Sequence, residues 1–135
     1  MKRHELRVRD LMSTALTTVN ASAPVSGAHA EMAVGIIRHL PVVDDRGHLV
    51  GVLSDRDVLR AGASKKAVRV ADVMTRDVIT TRPDANAYVA ADLMLDHKIS
   101  SLPVVDDTGA LVGVVTQTDY LELARRALLG LALER

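Results

Sequence analysis

The sequence predicts an α/β (α+β) protein built from two tandem copies of one βαββα unit. The hexapeptide LPVVDD begins at Leu40 and again at Leu102. Many further identities follow at the same offset of 62 residues, including Asp57 with Asp119. Each copy also combines β-branched runs with a segment of helical periodicity. Two equivalent units of this size can share a core, so we expect pseudo-two-fold symmetry, with small sheets packed face to face and flanking helices.

A β-hairpin is the clearest element of each copy. Pro41 to Val43 and Leu49 to Leu53 are apolar, β-branched runs joined by Asp-Asp-Arg-Gly, which predicts two strands and a short turn. Pro103 to Val105 and Leu111 to Val115 repeat this pattern around Asp-Asp-Thr-Gly. Neighbouring side chains of an extended segment point apart, and Asp-x-Gly is typical of turns. We therefore interpret both aspartate pairs as turn residues rather than metal ligands or an acid–base pair.

A helix is predicted before each hairpin, after an extended segment over 16–19 or 78–81. Ser22 and Asp84 occupy equivalent positions where an N-cap is expected. A second helix is expected to start after each hairpin, near Asp55 or Gln117. The first helices carry apolar stripes at helical spacing: Ala28, Met32 and Ile36 in one copy, and Ala90, Leu93, Met94 and His97 in the other.

The repeat also predicts the domain bounds. We expect a first unit over 8–62, a linker over 63–69 and a second unit over 70–135. The last helix outlasts its counterpart, because Leu121, Ala124, Leu128 and Leu131 continue one apolar stripe. That stripe either packs on its own unit or contacts a partner protein or a second copy.

Composition excludes several classes of protein. The 135 residues include no cysteine, so disulfides and thiolate metal sites are ruled out, and a reducing cytoplasm is the expected location. Lys plus Arg equals Asp plus Glu at 17 each, and aromatic residues make up 1%, so nucleic acid is not an expected partner. No apolar run approaches the ~18 residues that span a bilayer, so no membrane partner is expected.

No catalytic motif or metal-ligand spacing is present. The five histidines lack the His-x-x-x-His and His-Glu-x-x-His patterns, and no phosphate-binding glycine loop or nucleophile elbow occurs. We therefore predict no catalytic residue, no metal and no required cofactor.

A polar motif of the form Gly-x-x-[Ser/Thr]-x-x-Asp ends each hairpin. It runs from Gly51 through Ser54 to Asp57, and again from Gly113 through Thr116 to Asp119. A hydroxyl at an N-cap with a carboxylate at N3 resembles a capping box. The same two groups on the first turn of a helix can also hold a diol such as ribose. The two roles are compatible, because the cap positions the carboxylate.

The residues before LPVVDD differ between the copies. Arg38-His39 precedes the first hexapeptide and Ser100-Ser101 the second. Either the cations mark a solvated strand start, or only the first copy brings positive charge to an anion.

Together, these motifs closely resemble the cystathionine β-synthase (CBS) domain family. The resemblance rests on Ile-x-x-Leu-Pro-Val-Val-Asp at 37–44 and 99–106, on the Gly-x-x-[Ser/Thr]-x-x-Asp motifs, and on Met12 and Met74 after Asp-Leu or Asp-Val. It covers most of the chain, twice, and implies a stand-alone CBS pair, or Bateman module. It also implies a homodimer of such pairs and adenosyl ligands (AMP, ADP, ATP or S-adenosylmethionine) in clefts between the units.

The resemblance assigns roles to three groups of residues. Ser54, Asp57, Thr116 and Asp119 match the family's ribose ligands. The adenine wall falls on Thr18, Val19, Thr80 and Thr81, with Leu40, Pro41, Leu102 and Pro103. Only Arg38 and His39 match the family's phosphate-facing residues, and the serines of the second copy depart from that pattern.

The predicted function is a non-enzymatic regulatory module that senses energy status or a metabolite through an adenosyl ligand and changes its dimer or partner geometry. The alternative is a ligand-free scaffold that dimerises or docks on an unidentified protein target. An enzyme is the third and weakest hypothesis.

Overall fold

The computed structural model describes residues 5–35, 38–62 and 68–131. The described elements alternate helices and small strands, which confirms the α/β class. In chain order they are α1 (Val8–Leu11), β1 (Val19–Asn20), α2 (Val25–Gly35), β2 (His39–Val43), β3 (Leu49–Ser54), α3 (Asp55–Gly62), α4 (Val70–Val73), α5 (Ala87–His97), β4 (Ser101–Val105), β5 (Leu111–Thr116) and α6 (Gln117–Leu128).

The chain divides into two compact units that do not follow the sequence copies. The first-hairpin unit comprises Thr17–Val78 and Thr108–Leu111. The second-hairpin unit comprises Met1–Leu16, Ile79–Asp107 and Val112–Arg135. The short helix that opens each copy thus belongs to the other copy's unit, α1 to the second-hairpin unit and α4 to the first-hairpin unit. The bounds 8–62, 63–69 and 70–135 stay a prediction about the repeat, and 63–67 lie outside the described residues.

The first-hairpin unit contains a three-stranded sheet in the order β1-β2-β3. β1 runs parallel to β2, with Val19 opposite Val42, and β2 and β3 form the predicted antiparallel hairpin. Alternate residues of the hairpin face a core of aliphatic side chains, as period-two patterning requires. That core comprises Val19, Val25, Ala28, Met32, Leu40, Val42, Leu53, Val58, Ala61, Val70 and Met74.

The second-hairpin unit repeats the hairpin as β4 and β5. Thr81 takes the place of the first strand: its N–H donates to the Pro103 carbonyl (3.1 Å), and its own carbonyl accepts from the Val105 N–H (3.0 Å). The core is smaller and includes Val8 of α1; its buried members are Val8, Ala90, Met94, Leu102, Val104 and Val115. Of the predicted stripe, Ala90 and Met94 are buried whereas His97 is exposed.

The turn interpretation of the aspartate pairs is confirmed in the first hairpin. Asp44 Oδ1 accepts the backbone N–H groups of Arg46 and His48, both at 2.9 Å. The bond from the His48 N–H is the main reason that the pKa of Asp44 lies below its usual value. Gly47 completes the turn at a φ of 80°, a backbone conformation that glycine adopts without strain.

The second aspartate of each pair fastens the hairpin to the segment that precedes the helix. In the first copy, Asn20 Nδ2 donates to Asp45 Oδ1 at 2.9 Å. In the second copy, Arg82 forms an ion pair with Asp107. Both contacts join equivalent positions, so a role in positioning the chain accounts for these carboxylates.

The N-cap predictions were wrong. α2 begins at Val25 and α5 at Ala87, with Asn86 as the N-cap of α5. The Ser22 hydroxyl instead donates to Asn20 Oδ1 at 2.7 Å, and Asp84 offers its backbone carbonyl to Arg7. Both residues lie in turns that reorient the chain before the helix starts, and sequence periodicity does not register such turns.

Gly51 of β3 leaves room for another part of its unit. A Cβ at this position would lie 2.7 Å from both Met74 Sδ and the Thr75 carbonyl oxygen. The approach is fixed by backbone bonds, because Val52 and Thr75 each donate to the other's carbonyl at 2.9 Å. The glycine of the first polar motif therefore admits backbone from the segment after α4.

Gly113 has the equivalent role in the second-hairpin unit. A Cβ there would lie 2.7 Å from Met12 Sδ but 3.1 Å from the Ser13 carbonyl oxygen. A methionine side chain can move aside more easily than backbone. A Cβ atom should therefore be tolerated better at Gly113 than at Gly51.

We expect Gly51→Ala to destabilise the protein by about 1–3 kcal/mol, because its methyl group meets a fixed carbonyl as well as a thioether. Gly113→Ala should cost less. Gly27→Ala is the control: nothing lies within 4 Å of its Cβ position inside α2, and alanine should add up to ~1 kcal/mol of helix stability. Urea unfolding measures all three, and equal losses at Gly51 and Gly113 would contradict the assigned cause.

Candidate functional site

The first polar motif forms a capping box at the junction of β3 and α3. The Ser54 N–H donates to Asp57 Oδ2 at 2.8 Å, and the Asp57 N–H donates to Ser54 Oγ at 3.1 Å. Each side chain thus satisfies a backbone donor that the start of a helix would otherwise leave without a partner. The capping interpretation is confirmed for this copy.

The second motif repeats the capping box between β5 and α6. The Thr116 N–H donates to Asp119 Oδ2 at 2.7 Å, and the Thr116 hydroxyl donates to the same oxygen at 3.2 Å. The Asp119 N–H in turn bonds to the Thr116 side chain. In both copies the cap holds a carboxylate at a defined place on the first helical turn.

The two carboxylates differ in exposure. Asp57 is 2% exposed, and Asp119 is half-buried. Arg60 of α3 donates to Asp57 Oδ1 at 2.5 Å, so both oxygens of this carboxylate carry hydrogen bonds from the protein. Sequence comparison of the two motifs did not reveal this difference.

The structure brings Arg38 and His39, the predicted phosphate residues, to the same junction as Ser54 and Asp57, the predicted ribose residues of the first copy. His39 lies opposite Ser54 in the β2–β3 ladder, and the Asp55 N–H donates to the Arg38 carbonyl at 2.9 Å. Both Arg38 and His39 are exposed. In the second-hairpin unit the Gln117 N–H donates to the Ser100 carbonyl at 2.9 Å, so uncharged residues occupy the equivalent place.

The predicted adenine-wall residues fall into two classes. Leu40 and Leu102 are fully buried, and Val19, Thr81 and Pro103 are buried as well. Of these five, Val19, Leu40 and Leu102 belong to the hydrophobic cores of their units. Half-buried side chains remain at Thr18, Pro41 and Thr80, which therefore present the accessible part of the predicted wall.

A pocket of about 370 Å³ lies between α2 and α3 and was not predicted. Its lining residues are His29, Met32, Ala33, Arg38, Asp55, Val58 and Leu59. At the position equivalent to Val58, the second copy has Tyr120, whose hydroxyl crosses to α5 and donates to the Ala87 carbonyl at 2.5 Å. The difference between Val58 and Tyr120 is the feature of the sequence that could have indicated a pocket in the first copy.

Two further features follow from the described residues. Over 5–35, 38–62 and 68–131, no group of three or more His, Cys, Asp or Glu side chains is placed to hold a metal ion. Among the helices in those same ranges, none combines the length and apolar character needed to cross a bilayer.

Comparison with known proteins identifies the family. The family model for the CBS domain matches residues 8–64 and 70–126, which together cover most of the chain. The chain belongs to the CBS domain family. The resemblance stated from the repeated motifs is thereby confirmed, and each match contains one hairpin with its Gly-x-x-[Ser/Thr]-x-x-Asp motif.

The relatives of this chain include enzymes and a small CBS domain-containing protein. A homoserine O-acetyltransferase of Methanohalophilus mahii is 36% identical over 111 residues, which are 82% of this chain and 23% of that protein. A CBS domain-containing protein of Dictyostelium discoideum is 31% identical over 134 residues, covering 90% of this chain and 92% of the relative. The chain spans about a quarter of the enzyme relatives it matches.

Several solved structures superpose closely on this chain. The CBS domain pair of protein MJ0100, in complex with 5′-methylthioadenosine and S-adenosylmethionine, has a TM-score of 0.78 at 34% identity, covering 90% of this chain and 98% of that one. CBSX2 in complex with AMP has a TM-score of 0.80 at 32% identity, with coverage of 90% and 98%. The cytosolic domain of the Mg²⁺ channel MgtE in complex with ATP has a TM-score of 0.74 at 34% identity, with coverage of 84% and 46%.

Tyr120 provides a spectroscopic test of the second site, because burial and the neighbouring Asp119 charge raise its pKa to about 12. In a Tyr88→Phe background, Tyr120 is the one remaining tyrosine of the chain. We expect its absorbance to titrate near pH 12, and Asp119→Asn to lower that pKa by removing the charge. A raised pKa means that the contribution of Tyr120 to stability is complete below the ordinary value near 10 and is lost as pH rises through about 12. An unchanged titration in Asp119→Asn would contradict the electrostatic contribution.

Proposed function

We propose that this CBS pair is a non-enzymatic regulatory module that binds an adenosyl compound and transmits its presence to a dimer partner or a target protein. The observation that carries the proposal is the pair of capping boxes, each holding a hydroxyl and a carboxylate at a strand-to-helix junction. Related CBS pairs in complex with adenosyl ligands add support, since they share about a third of their residues with this chain.

A carboxylate on the first helical turn is suited to a ribose. The 2′- and 3′-hydroxyls of ribose are donors, and an ionised aspartate only accepts. In the second copy, the cap bonds from Thr116 both reach Asp119 Oδ2. We propose that Oδ1 receives the diol, with the helix N-terminus favouring the negative charge.

The remaining groups would hold the rest of the ligand. We propose that the half-buried surfaces of Thr18 and Pro41, and of Thr80 in the second copy, contact the adenine, with backbone of the neighbouring buried residues. Arg38 and His39 would face the phosphates in the first copy. The supporting observations are that His39 lies opposite Ser54 of the capping box and that the Arg38 carbonyl accepts the Asp55 N–H.

If this assignment is right, Asp57→Ala and Asp119→Ala should each weaken binding at one site by about tenfold or more, since a hydrogen bond to a charged group contributes ~1.5–3 kcal/mol. Titration calorimetry with AMP, ADP, ATP and S-adenosylmethionine measures the affinities. A ligand at 100 times its dissociation constant should add about 2.7 kcal/mol of stability, which a thermal shift would detect.

Matched controls separate ligand contact from helix capping. The Arg69 N–H donates to Asp72 Oδ2 (3.0 Å) and the Arg7 N–H to Asp10 Oδ2 (2.8 Å), so these two carboxylates cap α4 and α1 in the same way. Asp72→Ala and Asp10→Ala should lower stability while leaving affinity unchanged. Full nucleotide affinity in an Asp57→Ala, Asp119→Ala double variant would refute the assigned mechanism.

The charge difference between the copies predicts a preference for phosphorylated ligands at the first site. Replacing Arg38 and His39 together by alanine should weaken AMP binding about tenfold and change adenosine binding by less than about twofold, because adenosine has no phosphate. The matched control replaces Ser100 and Ser101 by alanine and should alter neither affinity appreciably. Calorimetry with both ligands is the measurement, and equal losses for AMP and adenosine would count against phosphate contact.

A ligand-free scaffold is the second candidate, and the exposed apolar side chains of the second-hairpin unit favour it. Leu121 is 71% and Leu128 88% exposed on α6. Such side chains are suited to a partner or a second copy of the chain. Flat titrations with all four adenosyl compounds, together with an assembly that dissociates in Leu121→Ser, would establish this function in place of the sensor.

A further inference from the structure

The carboxylate of Asp57, the proposed ribose ligand of the first site, is hydrogen-bonded to an arginine of the same helix. Arg60 Nη2 donates to Asp57 Oδ1 at 2.5 Å, one turn along α3. The Arg60 side chain is 75% exposed, whereas that of Asp57 is 3% exposed. The guanidinium therefore covers the carboxylate from the solvent side, while the Ser54 N–H occupies Oδ2 from the strand side.

The second copy lacks this arrangement. The position equivalent to Arg60 is Glu122, which has the same charge as Asp119 and cannot pair with it. The two bonds that Thr116 donates to Asp119 both reach Oδ2, and Asp119 is half-buried rather than enclosed. Two motifs that match in sequence thus present their carboxylates in different states.

We propose that Arg60 is a specificity-determining residue of the first site, where its guanidinium competes with the ligand's diol for Asp57 Oδ1. This inference rests on the proposed function, because it takes Asp57 to be a ribose ligand. The first site is consequently weaker than the second for an uncharged nucleoside such as adenosine. The two sites of one chain would then bind adenosine over different concentration ranges.

The ion pair between Arg60 and Asp57 is weak enough for a ligand to displace the guanidinium. Arg60 is long and mostly exposed, so it can leave the carboxylate without disturbing the capping box. Asp57 is buried, but the Arg60 end of the pair is 75% exposed and solvated, so we expect the pair to contribute about 1 kcal/mol, which corresponds to about fivefold in affinity. Salt screens such a pair, whereas the charge–charge attraction between the protein and neutral adenosine is nil.

The test isolates one site at a time. In the Asp119→Ala background only the first site remains, and Arg60→Met should tighten adenosine binding by about two- to fivefold, whereas Arg60→Lys, which retains the charge, should change it less. The reciprocal experiment uses the Asp57→Ala background. There Glu122→Arg places the same cation beside Asp119 and should weaken adenosine binding by a similar factor.

Salt dependence supplies a readout that a packing role for Arg60 would not move. Raising the salt concentration from 0.05 to 0.5 M, roughly a threefold shortening of the screening length, should strengthen adenosine binding to Asp119→Ala and leave its Arg60→Met derivative unchanged. Unaltered affinity in Arg60→Met, with binding that still depends on Asp57, would overturn the competition and keep the sensor. Absence of adenosyl binding in the wild-type chain would overturn both.

Discussion

The start of the helix after each hairpin depends on one bond, donated by the backbone N–H of the last strand residue to an aspartate three positions later. In the two copies these bonds are 2.8 and 2.7 Å long. Because the bond fixes where the strand ends and the helix begins, it also fixes where the carboxylate stands. A proposed ligand that uses the same carboxylate is therefore connected directly to the backbone geometry of the helix.

Each aspartate carboxylate has two oxygens. One can accept the cap bond while the other accepts a bond from a ligand, so a single residue can have both roles. In each copy Oδ2 faces the strand end and carries the cap. Oδ1 is the oxygen available for another donor, and in the first copy Arg60 takes it. The helix cap made by Oδ2 is thus the same in both copies. The surroundings of Oδ1 differ, because Arg60, which lies outside the motif, is present in the first copy and is replaced by Glu122 in the second.

Much of the fold could be predicted because its signals are local. LPVVDD with a following glycine determines strand, turn and strand within one short stretch, and the capping boxes join residues three positions apart. The same local reasoning failed at Ser22 and Asp84, where turns delay the helices until Val25 and Ala87. The contacts of Gly51 were out of reach because Met74 and Thr75 follow more than twenty residues later, beyond two elements.

The positions of the candidate carboxylates at helix starts could be predicted from the sequence, but their exposure could not. Sequence placed Asp57 and Asp119 at helix starts, and the resemblance to CBS domains suggested ribose. Burial could not be foreseen, because the 2% exposure of Asp57 depends on how α3 lies in its unit. The pocket between α2 and α3 was not predicted either, although Val58, which lines it, differs in the sequence from the equivalent Tyr120.

In the second-hairpin unit, a hydrogen bond next to Asp119 connects α6 to α5. A ligand bound to the Asp119 carboxylate would therefore alter a contact between these two helices. Tyr120 directly follows Asp119, and its hydroxyl bonds to the Ala87 carbonyl in the first turn of α5. The Asp119 charge contributes to the raised pKa of Tyr120, so the two side chains already interact. A donor that neutralises part of this charge alters the electrostatic environment of the bond joining α6 to α5. Val58 has no hydroxyl, so the first copy has no equivalent bond, and the two sites would differ in what they transmit as well as in what they bind.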